Sequence, residues 1–170
     1  MTRINFSAAV KAGIIAGLIF LVLEMALVAT VGGGSPWGPP RMIAAIGMGK
    51  DVLPPPATFD LTIILVAMVI HFLTSVVLGI VFAMIADMAR LSLTASAIVG
   101  LVFGLLFYVF GFYLMTAVFP WFAMARGGVS IFAHAVFGLI LGYAYRAMAP
   151  IGESGRRPTH LLNAAPDGSI

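Results

Sequence analysis

The sequence predicts an all-α integral membrane protein built as a bundle of four transmembrane helices. Of its 170 residues, 62% are hydrophobic and 9% are charged, and the mean hydropathy is +1.13, whereas soluble domains carry roughly 25% charged residues. Four apolar stretches reach the roughly 20 residues that a helix needs to cross about 30 Å of hydrocarbon. They lie at about residues 12–31, 61–86, 93–119 and 129–149.

The first span follows a short polar leader and precedes the one long connection, residues 32–60. The leader is similar to that of a signal peptide, but Glu24 and the length of the apolar run favour an uncleaved span. Gly and Pro clusters break helix at both ends of the connection, and between them a short helix is predicted to begin at Pro39 or Pro40. We expect this helix to lie in the membrane interface.

The later spans are separated by short links. The tight link through Arg90 makes the second and third spans antiparallel neighbours, and Pro120 ends the third. We therefore predict a four-helix membrane domain over residues 1–149. Beyond it the composition becomes polar, and residues 150–170 form a tail that we expect to be a separate extension.

Positive charges predict the orientation, since cytoplasmic segments of membrane proteins are enriched in Lys and Arg. One side of the predicted bundle holds Arg3, Lys11, Arg90, Arg146, Arg156 and Arg157, and the other holds Arg41, Lys50 and Arg126. This asymmetry predicts a multi-pass protein of the bacterial inner membrane with both termini, and the tail, in the cytoplasm.

Two pairs of similar segments predict an internal duplication. His71 to Gly79 reads HFLTSVVLG and His134 to Gly142 reads HAVFGLILG, while GIIAGLIF from Gly13 is similar to GLVFGLLF from Gly100. The two kinds of segment occur in the same order in each half of the chain. We therefore expect a duplicated helical hairpin, its halves related by an axis along the membrane normal.

Each span carries a stripe of small residues, including several GxxxG patterns. Positions three or four apart share one helix face, and small residues there let membrane helices approach closely. The predicted helix-packing residues are Gly13, Gly17, Ser75, Gly79, Gly100, Gly104, Gly111, Gly138 and Gly142.

Four polar side chains, Glu24, His71, Tyr108 and His134, lie on the same stripes. They are therefore predicted to point inward and to form an intramembrane polar cluster in the outer half of the bundle. An acid at that depth costs about 2.5–3.5 kcal/mol, so Glu24 must be protonated, paired or in contact with water. A structural hydrogen bond from Glu24 to His71, a functional site and a contact with another subunit all remain open.

The same residues are candidate ligands. Glu24, His71 and His134 could hold a transition metal, since two imidazoles and a carboxylate form a known metal-binding set. A haem b between the two histidines is a second possibility, because their spans are parallel and the flanking glycines leave room for a porphyrin.

Composition excludes several other classes of function. The chain has no cysteine, which excludes disulfides, thiolate metal sites and Cys nucleophiles. Its nine Lys and Arg residues are scattered among helix ends and loops. We therefore interpret the excess of positive charge as a signal of membrane topology, and no nucleic-acid partner is expected.

The segments GGGSPWGPPRMIAAI, LPPPATFD and AHAVFGLILGYAYR make the chain similar to a group of small four-span bacterial inner-membrane proteins. The resemblance covers nearly the whole chain and implies fold and location, but no activity. Such proteins sometimes carry a sodium:proline or sodium:solute symporter label. Solute symporters have ten or more spans with broken helices, so no functional residue is transferred.

Three functions are compatible with these patterns. The leading hypothesis is a non-catalytic membrane subunit that packs against a larger inner-membrane complex or against copies of itself, because there are too few polar groups for a full reaction. The alternatives are a small oligomeric transporter or channel with a proton-coupled Glu24–His71 site, and a metal- or haem-binding membrane protein.

Overall fold

The protein, described by a computed structural model over residues 4–53 and 55–151, is all-helical within those ranges. Nearly all of the predicted tail, residues 150–170, lies outside them. The α-helices are α1 (Phe6–Thr30), α2 (Gly38–Met48), α3 (Leu61–Met88), α4 (Leu93–Val109) and α5 (Gly128–Met148).

Four of the helices are long and apolar enough to span a membrane: α1, α3, α5, and α4 together with its continuation to Ala117. The prediction of an all-helical chain with four apolar spans is confirmed. The short helix α2 occurs in the first connection, where a helix was expected. Its position relative to the membrane interface stays a prediction.

Side-chain caps explain where three of the long helices begin. The side chains of Asn5 and Asp60 each accept a hydrogen bond of 3.0 Å from the backbone N–H three residues later, at the starts of α1 and α3. Ser92 does the same for α4, at 3.3 Å. Such caps satisfy N–H groups that have no partner within the helix.

The third span departs from the predicted continuous helix to residue 119. The α-helix ends at Val109 and is followed by one π-helical turn, Phe110–Leu114, and then by 3₁₀ turns. Pro120 lacks an N–H and cannot extend a helix. The π-helical turn matters because such turns often occur at functional sites.

The helices are arranged with α1 and α5 at the centre. Helix α3 packs mainly on α1, and α4 packs mainly on α5, whereas α3 and α4 contact each other little. The N-terminus of α1 and the link between α3 and α4 lie at one end of the bundle, which we call the terminal end. The opposite end, with the first connection and the segment before α5, is the loop end.

Both outer pairs of helices pack through small residues at corresponding positions. A Cβ atom added to Gly13 of α1 would overlap the carbonyl of Ser75 in α3, and one added to Gly100 of α4 would overlap the carbonyl of Gly138 in α5. These overlaps are with backbone atoms, which cannot move aside easily. The two backbones can approach this closely only because a side chain is missing.

The correspondence extends along each pair. A Cβ on Gly79 would overlap the Ala9 carbonyl, and one on Gly142 would overlap the equivalent Ser96 carbonyl. Gly111 differs from the other predicted packing residues: among the described residues, nothing lies within 4 Å of its Cβ position. Gly111 is therefore not a helix-packing residue, since the chain leaves the α-helix one residue before it.

The terminal end is closed by a core of small and aromatic side chains and by a buried ion pair. The core residues are Ala8, Ala9, Ala12, Ala16, Phe82, Ala83, Ala86, Phe137, Leu141 and Tyr145. Arg146 forms a 3.0 Å ion pair with Asp87, and the Tyr145 hydroxyl donates a 2.6 Å hydrogen bond to the same carboxylate.

Candidate functional site

A cavity of about 650 Å³ occupies the loop end of the bundle. It lies among α1, α3, α5 and the continuation of α4, and α2 with the connecting segments forms its outer wall. Ligand cavities in proteins commonly have volumes of about 300–1,000 Å³. Its aromatic wall consists of Phe20, Phe107, Phe110, Phe112, Phe119, Phe122 and Phe137.

Glu24 is the acidic residue of the cavity wall. It is 5% exposed, and its Oε1 atom accepts a 2.6 Å hydrogen bond from the hydroxyl of Ser130 in the first turn of α5. Its other oxygen, Oε2, is buried and has no hydrogen-bond partner among the described residues. A buried acceptor without a donor is costly, which makes this oxygen the least satisfied polar atom of the Glu24 side chain.

His71 is held against α1 across the first helix pair. Its Nε2 atom lies 2.9 Å from the carbonyl oxygen of Gly17; because a carbonyl can only accept, the ring N–H donates at Nε2. The missing side chain of Gly17 allows this contact, since a Cβ there would lie 3.3 Å from that nitrogen. His71 is thus fixed in orientation at the cavity wall.

His134 is held within its own helix. Its Nδ1–H donates to the carbonyl oxygen of Ser130 at 2.7 Å. The ring of Phe20 contacts both imidazoles, with centroid distances of 5.7 Å to His71 and 4.7 Å to His134. Phe20 therefore couples the two histidines through packing rather than through a hydrogen bond.

The four residues of the predicted polar cluster are only partly brought together. Glu24, His71 and His134 line the cavity. Tyr108 is 5% exposed and packs against the His134 ring at 5.5 Å, and it is not among the cavity-lining residues of the described chain. The hydrogen bond between Glu24 and His71, one of the alternatives left open by the sequence, is absent from the described contacts: Glu24 bonds to Ser130 and His71 to Gly17.

The predicted metal set is not assembled. Within residues 4–53 and 55–151, no three His, Asp or Glu side chains are grouped closely enough to hold a metal ion. Glu24, His71 and His134 therefore do not form the metal set considered from the sequence. A haem between the histidines is also disfavoured, because the Phe20 ring packs against both imidazoles where the porphyrin would have to lie.

Sequence reasoning missed two residues of this site. Ser130 supplies the partner of Glu24, and its position one helical turn before His134 on the same face was a usable signal. Phe20 was treated only as part of a repeat. The buried Arg41 was counted only as a charge, although it donates 2.8 Å hydrogen bonds to the carbonyls of Val52 and Thr58 and so fixes the first connection.

The hydroxyl groups of the cavity wall use their hydrogens internally. Ser75 donates to the carbonyl of His71 at 2.9 Å, Thr74 donates to the carbonyl of Ile70 at 2.8 Å, and Ser130 donates to Glu24. The groups that these hydroxyls still offer are their oxygen lone pairs, which are hydrogen-bond acceptors. The wall is consequently apolar, aromatic and rich in lone pairs.

The comparisons with known proteins add no assignment: no family model, no curated protein and no solved structure matches the chain.

Proposed function

We propose that this protein is a membrane-embedded binding protein that holds a small, mainly apolar molecule in the cavity at the loop end. The observation that carries the proposal is the coincidence of the cavity of about 650 Å³ with a buried carboxyl oxygen that has no partner among the described residues. Apolar walls with a few fixed polar groups are typical of small-molecule sites.

The packing favours binding over conduction. The core of alanines, Phe82 and Tyr145 lies between the cavity and the terminal end, so a molecule entering from the loop end meets a closed floor. A proton-coupled gate between Glu24 and His71 has less support, since their hydrogen bonds go to Ser130 and Gly17. By the predicted orientation, the cavity faces the periplasm.

The proposal is tested with single cysteines, because the chain has none of its own. In Gly111→Cys the thiol would lie at the cavity wall, in space that the described residues leave open. In Leu73→Cys, the control, it would lie on the outer face of α3, where Leu73 is 64% exposed. A membrane-impermeant thiosulfonate is added to right-side-out membrane vesicles.

We expect Gly111→Cys to react and Leu73→Cys to remain unmodified, because thiolates form in water-accessible cavities and not in lipid. A neutral aromatic probe, triphenylphosphine oxide, should protect Gly111→Cys from modification. Equal rates for both variants, or modification of Gly111→Cys that neither this probe nor a cationic aromatic probe of similar size slows, would contradict a binding cavity. Modification only in inside-out vesicles would contradict the orientation.

The fold itself is part of the proposal. We infer that the chain arose by duplication of a hairpin, an inference supported by the equivalent close contacts of Gly13 with Ser75 and of Gly100 with Gly138. Helix α2 is proposed to lie at the interface, next to the cavity mouth. The indole N–H of Trp121 donates a 3.1 Å hydrogen bond to the carbonyl of Met42 in α2, which links the segment before α5 to this helix.

A second candidate is a membrane subunit that packs against a larger complex or a second copy. The observation that favours it is the exposure of α4: 17% of its most apolar stretch is buried, compared with 44% for α5. The predicted glycine faces no longer argue for external partners, since they are used inside the bundle. A monodisperse monomer in mild detergent would contradict this candidate.

A further inference from the structure

We infer that the molecule bound in the cavity is a lipophilic organic cation, held by the Glu24 carboxylate and by the surrounding aromatic rings. This inference rests on the proposed function and specifies its ligand class. Three properties of the wall lead to it: the unpartnered oxygen of Glu24, the direction of the other hydrogen bonds, and the composition of the apolar surface.

The first property is the geometry of the acid. Glu24 is only 5% exposed, and Ser130 donates a hydrogen bond to its Oε1 alone. Oε2 therefore requires a donor that the described protein does not supply. Charged partners form the strongest hydrogen bonds to carboxylates, and a cationic donor also offsets the cost of an acid within hydrocarbon.

The second property is that the hydroxyl and imidazole side chains of the wall have no hydrogen-bond donor to spare. Ser75, Thr74 and Ser130 each direct their hydroxyl hydrogen to a protein acceptor. The neutral imidazoles of His71 and His134 each donate their N–H to a carbonyl, which leaves a lone pair on the second ring nitrogen. A ligand that brings donors or positive charge matches this wall, and a ligand that brings only acceptors does not.

The third property is the aromatic surface. Seven phenylalanines line the cavity, and the faces of aromatic rings attract cations. Among the described Lys and Arg residues, Arg126 alone lines the cavity. Its guanidinium is engaged elsewhere, since it donates to the carbonyl of Phe112 at 2.7 Å and lies over the Tyr113 ring at 4.3 Å. Arg126 nevertheless keeps its positive charge, so the place proposed for the cation is at Glu24 and not beside Arg126.

The N-terminus of α5 is the feature that would favour the opposite charge. Gly127 and Gly128 line the cavity, and the free N–H groups of a helix start attract anions. The hydroxyl of Ser130, in the first turn of α5, however, holds the acid Glu24 near this end. A second negative group would be placed beside the first, and for this reason the cation is preferred.

Two probes of nearly equal size and opposite charge test the inference: tetraphenylphosphonium and tetraphenylborate, with triphenylphosphine oxide as the neutral reference. Their binding to the wild-type chain in lipid nanodiscs is measured by titration calorimetry, with empty nanodiscs subtracted. Protection of Gly111→Cys from the thiosulfonate provides a second readout. Tetraphenylphosphonium has no hydrogen-bond donor, so its preference reports charge alone, and we expect it to bind at least about tenfold more tightly than the anion or the neutral probe.

The charge of Glu24 is then removed. Glu24→Gln is expected to weaken binding of the cation by about tenfold or more and so to remove most of its preference over the neutral probe. The matched control is Asp51→Asn, which removes an exposed acid of the first connection that does not line the cavity and should alter neither affinity. If Glu24→Gln does not fold, the comparison of the three probes on the wild-type chain still tests whether the cavity prefers a cation.

The possible results separate the inference from the proposed function. Preference for the cation that is lost in Glu24→Gln supports both. Equal binding of the three probes, tighter binding of the anion, or a preference for the cation that survives in Glu24→Gln overturns the cation inference and leaves the cavity as a binding site. If no probe binds or protects Gly111→Cys, both are wrong.

Discussion

The hydroxyl of Ser130 donates a 2.6 Å hydrogen bond to the Glu24 carboxylate and so joins α5 to α1, two central helices of the bundle. Both side chains are buried. The bond fixes one oxygen of the acid at the cavity wall and leaves the other without a partner among the described residues. The pair therefore contributes both to stability and to the proposed site.

Removing the Ser130 hydroxyl should destabilise the bundle. We expect Ser130→Ala to lower the free energy of unfolding, with a coupling to Glu24→Met, which cannot accept the bond, of about 0.6 kcal/mol and at most about 1.7 kcal/mol, the mean and maximum for hydrogen bonds between membrane helices. The measurement is a double-mutant cycle by detergent-induced unfolding in mixed micelles. Additive effects of the two substitutions would show that the bond does not stabilise the bundle.

Close contact of α4 and α5 predicts opposite effects of two Gly→Ala substitutions. A Cβ on Gly104 would overlap backbone atoms of His134 and Gly138, so Gly104→Ala should lower the free energy of unfolding by about 1–3 kcal/mol. Gly111→Ala meets open space among the described residues and should leave it unchanged or raise it by up to about 1 kcal/mol. Similar losses in both variants would contradict the packing described here.

The first connection, residues 32–60, should become more accessible to protease when the planar guanidinium of Arg41 is replaced. Arg41 is 7% exposed and reaches the carbonyls of Val52 and Thr58 together, a geometry that lysine cannot reproduce. We expect Arg41→Lys to speed tryptic cleavage after the exposed Lys50 by about tenfold. The same substitution at Arg90, an exposed residue of the opposite end, is the control and should not change that rate.

The ion pair at the terminal end predicts that one substitution greatly lowers the free energy of unfolding and that a second restores part of it. Arg146→Met leaves Asp87, which is 12% exposed, without its counter-charge. Since an unpaired buried charge costs about 3–5 kcal/mol, the free energy of unfolding should fall by a comparable amount. Adding Asp87→Asn should restore part of the loss, as measured by unfolding in mixed micelles. A double variant less stable than Arg146→Met alone would disprove the pairing.

Hydropathy and the positions of glycine and proline were enough to predict the four apolar helices, because a helix that crosses hydrocarbon must satisfy its own backbone. Helix α2 was also expected from Pro39 and Pro40. The change from α- to π-helix at Phe110 was not predicted, since the pattern of apolar residues continues through it unchanged.

The site was predicted less completely than the helices. The stripe positions predicted that Glu24, His71 and His134 point inward, but they predicted neither the cavity that these residues line nor their hydrogen-bond partners. A histidine can donate to any carbonyl within reach, and only the closeness of α1 and α3 at Gly17 decides which one His71 bonds to.

The amino-acid sequence by itself determined that this chain is a set of four apolar helices with small residues along one face of each, because length, hydropathy and spacing are local properties. Which helices pair, where the cavity forms and which oxygen of Glu24 lacks a donor among the described residues were decided only by the tertiary structure. Those features depend on contacts between residues far apart in the chain, and the distances and angles of such contacts are not written in the spacing of residues along any one helix.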